Sequence, residues 1–169
     1  MIRITDILDS LNGYHPEADL DLVERAYIYS ARIHEGQVRL SGEPYLSHPL
    51  EVAGLLTDLK LDPVSVAAGL LHDALEDTKA TMEDLTEMFG PQVATIVEGV
   101  TKLSGLAFRS YEDRQAENIR KMILAMADDI RVILIKLCDR LHNMRTLEFQ
   151  SEKKQIKIAQ ETLDIYAPL

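Results

Sequence analysis

A chain of 169 residues with 46% hydrophobic and 27% charged residues has the composition of one soluble globular domain and is too apolar to be intrinsically disordered. Its net charge of −10 argues against nonspecific binding to nucleic acid or an anionic membrane, but leaves room for a small polyanion beside a bound metal and a few local arginines. Cys138 stands alone and cannot form an internal disulfide, Arg3, Asp6 and Asp9 interrupt the apolar residues of the N-terminus, and no apolar run is long enough for a bilayer, so the chain reads as cytoplasmic.

Apolar residues recur at spacings of three and four nearly throughout, and no segment alternates as a strand would. Asp21 is the expected cap of a helix with Leu22, Ala26, Ser30 and Ile33 on its inner stripe. His34 to Pro49 is the longest irregular stretch and contains Gly36, Gly42 and Pro44; an ordered loop of that length in a helical domain is often functional. Pro49 is the expected first residue of the next helix, and Asp62–Pro63 starts another that runs through Val66, Leu70 and Leu71 towards Glu76. Thr81 with Asp84 reads as a capping box, and Gly90–Pro91 as the end of one helix and the start of the next. Long helices are expected over Tyr111–Ala127, with Met122 and Met126 as core filler, and over Ile130–Leu147; a final one covers Glu152–Ile165. The fold class is all-α: an irregular helical bundle of about seven or eight helices forming a single domain over residues 1–169.

Five histidines punctuate the chain, at positions 15, 34, 48, 72 and 142. His48 stands at a helix start, His72 is followed at once by Asp73, and Asp139 lies far downstream. Two imidazoles and two carboxylates brought together from three helices would make a mixed nitrogen and oxygen site for a divalent metal with positions left open for water or substrate. A histidine beside a helix start is also commonly a cap or a packing group. Asp73, Glu76 and Asp77 tilt the balance, because an apolar helical run is a costly place for carboxylates unless a cation or hydrogen-bond donors compensate them. Glu76 lies one helical turn beyond His72 and Asp73, and Asp77 follows Asp73 by four, so both share that face.

His48, the His72-Asp73 doublet and Asp139 match the H…HD…D signature of the HD metal-dependent phosphohydrolase superfamily. The stretches His34–Pro49, Leu70–Thr78, Gly99–Leu103, Ile135–Thr146 and Glu161–Leu169 resemble the hydrolase domain of RelA/SpoT-type alarmone enzymes, in the same order and over nearly the whole chain. The resemblance implies a bundle of the HD type and hydrolysis of the 3′-pyrophosphate of guanosine 3′,5′-bis(diphosphate), ppGpp, or its pentaphosphate form, giving GDP or GTP and pyrophosphate. It implies one manganese ion held by His48, His72, Asp73 and Asp139, catalysis by Glu76 and Asp77, and nucleotide contacts from Arg39, Ser41, Asn143 and Thr146.

Leu40 departs from the pattern, since relatives often carry a second basic residue there. In long bifunctional relatives similar text leads into a synthetase domain, and the ending Ala167-Pro168-Leu169 reads as the middle of a helix, so an excised hydrolase domain is expected. Two alternatives stay open: another nucleotide phosphohydrolase, such as one acting on NADPH, and a catalytically silent regulatory module. His34 is expected to donate to a backbone carbonyl near the site, His142 to pack or to sit behind the ligands, Arg140 and Arg145 to form exposed salt bridges, and Cys138 to be a small buried apolar residue.

Overall fold

The computed structural model describes residues 2–104, 119–120, 123–124 and 128–168. Among these, nine α-helical segments account for the regular structure, and an isolated antiparallel bridge joins Val38 to Pro44. The chain begins with α1 (Ile4–Tyr14), a helix the caps and prolines did not signal, although Ile4, Ile7, Leu8 and Leu11 carry the spacing of a buried stripe. Next, α2 (Leu20–Ile33) is capped by Asp19, whose carboxylate accepts from the Leu22 amide at 3.0 Å. The expected cap, Asp21, instead lies in the first turn and pairs with Arg25 at 2.7 Å. An Ncap side chain reaches the amide three residues on, so the helix start decided between two neighbouring aspartates.

Helix α3 (Ser47–Asp58) starts two residues before Pro49, which is tolerated because amides of the first turn have no intrahelical partner. Helix α4 (Pro63–Leu71) is buried on every side from Ser65 onwards and packs against α2, α3 and a later helix, α7 (Pro91–Ser104), as the centre of the bundle. Gly69 allows the close approach, since a Cβ there would strike the Leu56 side chain.

The helix expected to continue to Glu76 breaks instead at His72 and Asp73. Asp73 sits at φ −94°, ψ −1°, and the chain resumes as the single turn α5 (Ala74–Asp77). At the break the Gly69 carbonyl accepts from the His72 imidazole rather than serving only the helical ladder. After it, α6 (Met82–Phe89) carries the expected Thr81–Asp84 capping box, and Gly90 at φ 85° turns the chain into α7 (Pro91–Ser104). Helix α8 (Ile130–Arg145) begins at Asp129, ends two residues short of Leu147 and gives way to a 3-10 turn, Leu147–Phe149. The last helix, α9 (Glu152–Glu161), widens into a π-type turn over Thr162–Tyr166. The helix expected over Tyr111–Ala127, with Met122 and Met126, lies outside the described residues apart from two short pieces.

One main core joins α1 to α4, α6, α7 and α8, and among the described residues no helix is long and apolar enough to cross a membrane. Cys138 is buried, as expected of a small apolar residue, and burial pushes its thiol up to about 11. Because α4 holds α3 and α7 while α3 also packs on α8, the start of α3, the end of α4 and the middle of α8 meet at one place. Leu71 is fully buried immediately before His72. Leu71→Ala is expected to lower the unfolding free energy by about 2–5 kcal/mol in urea titration, through lost burial and the cavity left behind. A loss under about 0.5 kcal/mol, typical of surface positions, would show that α4 ends outside the core.

A candidate metal centre and its cavity

The two imidazoles are aimed by the bonds on their other nitrogens. His72, with no solvent exposure, donates Nδ1–H to the Gly69 carbonyl at 2.7 Å, which turns Nε2 inward. His48 Nδ1 meets His142 Nδ1 at 2.7 Å; with His48 donating, its Nε2 is also free to coordinate. The two Nε2 atoms lie 3.2 Å apart. His48, His72 and Asp139 each place a ligand atom within 4.8 Å of the others. Asp73 lies beside this group, with Oδ1 at 3.1 Å from His72 Nε2 and Oδ2 at 3.5 Å from His48 Nε2.

Burial opposes charge on every member, and at Asp73, Asp139 and His72 the neighbours override it. Against its burial, the imidazoles of His72 and His48 hold Asp73 below the usual carboxylate range. Asp139 is held well below that range by the His48 hydrogen bond and by Lys136. His72 would be lowered by burial but is raised to about 9 by Asp73 and Asp139, whereas desolvation keeps His48 low. Two ionised, largely buried carboxylates facing two inward Nε2 atoms are a mixed donor set that fits a divalent ion of borderline character, which would displace the proton His72 otherwise holds.

A cavity of about 410 Å³ opens over this group, a volume in the range of small-molecule sites. Of the expected site residues, Arg39, His48, Asp73, Glu76, Asp139 and Asn143 line it, and His72 lies buried beneath. Asp77 points to Tyr45, Ser41 to Glu43 at 3.3 Å, and the Thr146 hydroxyl donates to the His142 carbonyl of its own helix at 3.1 Å. Arg39 is presented by a tight loop whose glycines, Gly36 and Gly42, adopt φ of 77° and 85°. Its guanidinium donates to Asn143 Oδ1 at 3.4 Å, and Asn143 in turn donates to Asp139 Oδ1 at 2.6 Å. Leu40, beside it, is an exposed apolar part of the wall.

Four polar lining residues were not foreseen. Lys136 is a nearly buried cation whose Nζ donates to Asp139 Oδ2 at 2.8 Å and to Ser104 Oγ at 2.7 Å. Ser104 also hydrogen-bonds Glu76, whose carboxyl is raised chiefly by burial and further by Asp73 and Asp77. Tyr45 bridges Asp73 and Asp77 through its hydroxyl. A lysine three residues before Asp139 shares the helical register of that ligand, a signal available in the sequence, whereas Tyr45 lies in the turn before α3 and carries none. Gln150 shows no such signal; it lines the cavity, and its buried side-chain oxygen has no partner among the described residues.

Of the remaining expectations, His142 is buried behind His48, where burial, His48 and Arg39 push it down to about 4. His34 does not reach a backbone carbonyl: its Nδ1 meets the Gln37 side-chain oxygen at 2.9 Å, because the turn after α2 folds Gln37 back onto the ring. Arg140 does form a salt bridge, with Glu161 at 3.2 Å, but a partly buried one, and its guanidinium lies over the Tyr166 ring.

The chain is similar to much longer proteins. It is 64% identical over 163 residues to a GTP pyrophosphokinase of Myxococcus xanthus, covering 95% of this chain and 22% of that protein. It is 52% identical over 167 residues to the bifunctional (p)ppGpp synthase/hydrolase SpoT of Escherichia coli K12, covering 96% of this chain and 24% of that one. The chain therefore spans under a quarter of the length of these curated relatives. A solved structure of a metazoan SpoT orthologue described as hydrolysing ppGpp superposes with a TM-score of 0.68 and 30% identity, over 85% of this chain and 84% of that one. The family model described as an HD domain matches residues 26–169, which takes in the start of α3, the end of α4 and the middle of α8. With the model matching from the middle of α2 to the end of the chain and the polar centre at the meeting of those three helices, the chain belongs to the HD domain family.

Proposed function

We propose that this chain hydrolyses the 3′-pyrophosphate of ppGpp or pppGpp to give GDP or GTP and pyrophosphate, in the cytoplasm, as the hydrolase part of a longer protein that also carries a C-terminal synthetase domain. The observation that carries the reading is the convergence of His48, His72 and Asp139 within 4.8 Å beneath a nucleotide-sized cavity. The names of the relatives, a (p)ppGpp synthase/hydrolase and a ppGpp-hydrolysing orthologue, supply the substrate.

In this reading His48, His72, Asp73 and Asp139 hold one manganese ion. When bound, such an ion supplies an acidified water and neutralises charge at a phosphate oxygen. The rest is done by the chain. Arg39 and Lys136, the cations on the wall, offset phosphate charge that four nearby carboxylates would otherwise repel. Glu76, raised by burial, is suited to take the proton from the attacking water as its oxygen bonds to phosphorus. The bond from phosphorus to the ribose 3′ oxygen breaks, and that oxygen must gain a proton, which the acidic pair Glu76 and Asp77 returns. Asn143, Ser41 and Thr146 contact the nucleotide.

Purified protein incubated with ppGpp and manganese, before and after chelation, tests the reading by chromatography of products. Equal amounts of GDP and pyrophosphate are expected, lost with chelator and restored by manganese. Turnover of NADPH or another phosphorylated nucleotide in place of ppGpp would overturn the substrate, and folded, metal-loaded protein without turnover of any of them would point to a regulatory module.

A further inference from the structure

We propose that Tyr45 is a positioning residue for the hydrolysis, bridging the metal-ligand group and the catalytic pair through one hydroxyl; this rests on the reading of the site given above. The Tyr45 Oη lies 2.7 Å from Asp73 Oδ2 and 2.7 Å from Asp77 Oδ2. Asp73 faces the two inward imidazoles with both of its oxygens, so the same hydroxyl that touches Asp77 also touches a member of the metal set.

The need for such a bridge lies in α5. A four-residue helix has almost no stability of its own, and Asp77 is its last residue. Its orientation must come from outside the helix, and two contacts from the preceding loop provide it. The Gln37 side-chain amide donates to the Asp77 carbonyl at 3.2 Å, and the Tyr45 hydroxyl engages the Asp77 carboxylate.

The ring of Tyr45 is itself held. It stacks on His34 with centroids 4.5 Å apart and planes 21° from parallel, and it meets His48 edge-on at 6.3 Å. His34 is buried and bonded to Gln37, so its place in the fold is to brace the tyrosine and the amide that together set Asp77. Above the ring lies the Arg39 guanidinium, 5.9 Å from its centroid. One side chain thus ties the loop that presents Arg39 to the turn that presents Asp77. A purely structural tyrosine would need the ring and not this double contact.

Tyr45→Phe separates the two parts, because it keeps the ring against His34 and removes the hydroxyl. Manganese titration of the chain is expected to show affinity weakened about tenfold, as when a hydrogen bond behind a metal ligand is lost. Turnover of ppGpp is expected to fall about 10- to 100-fold in kcat with KM little changed. In an Asp77→Asn background the same change should reduce kcat much less, since the bridge has already lost its second carboxylate. Tyr45→Phe with wild-type manganese affinity and wild-type kcat would overturn the proposal, as would full additivity with Asp77→Asn. The titration does not depend on the substrate: a chain that binds manganese without hydrolysing ppGpp would overturn the assigned reaction, while the ratio of the two affinities still decides the role of Tyr45.

Discussion

His72→Ala is expected to abolish manganese binding and to reduce hydrolysis to the level of chelated wild-type protein. The imidazole is fully buried, its Nδ1–H is committed to the Gly69 carbonyl, and its Nε2 lies 3.1 Å from Asp73 and 3.2 Å from His48. Water cannot readily replace it as a ligand from that side. The same change leaves Asp73 and Asp139 with one fewer partner in a buried setting, which for a broken buried ion pair costs about 3–5 kcal/mol of stability. Thermal melts with and without manganese check both effects. Wild-type protein should gain stability with manganese by mass action, and the variant should melt lower and not respond. A variant that still binds manganese with wild-type affinity would remove His72 from the ligand set.

Glu76→Gln is expected to slow turnover by about 10²–10⁴-fold while leaving manganese affinity unchanged, because it removes a proton acceptor on the cavity wall without touching the ligands. Its stability should move the other way from that of His72→Ala. Burial raises the Glu76 carboxyl above the ordinary value, so the folded state holds this proton more tightly than the unfolded chain does. Ionised Glu76 therefore opposes folding at neutral pH, and that opposition fades as pH falls through its raised pKa. Glutamine carries no such charge, so the variant should melt no lower than wild type near pH 7. The wild-type rate should also fall off on the acid side at a pH above about 4.3, the ordinary glutamate value, as the base becomes protonated. Wild-type kcat in Glu76→Gln would make the carboxylate structural.

Several features were plain from residue order. The capping box at Thr81, the turn at Gly90–Pro91 and the start at Asp129 all depend on local backbone chemistry, and each was read close to where it lies. Errors came where two local solutions compete. Asp19 and Asp21 are both competent caps, and only the start of α2 chose between them. The break after Leu71 is not encoded by glycine or proline; it belongs to a histidine whose ring bonds the carbonyl three residues back. Helix α1 was overlooked because a stripe of apolar residues becomes convincing only when there is a core for it to cover.

The sequence by itself determined the class of the fold, the identity of the family and the residue types of the centre. Helical periodicity is local, and a histidine, a His-Asp doublet and an aspartate in a given order survive as text. Only the tertiary structure decided how these residues are used. Packing of α4 on α3, and of α3 on α8, brings His48 together with His72, 24 residues away, and with Asp139, 91 residues away. It also turned Lys136 and Ser104 towards the carboxylates and set Tyr45 between Asp73 and Asp77. Those partners are chosen by distance in space between buried charges, and a local reading of the chain has no access to that distance.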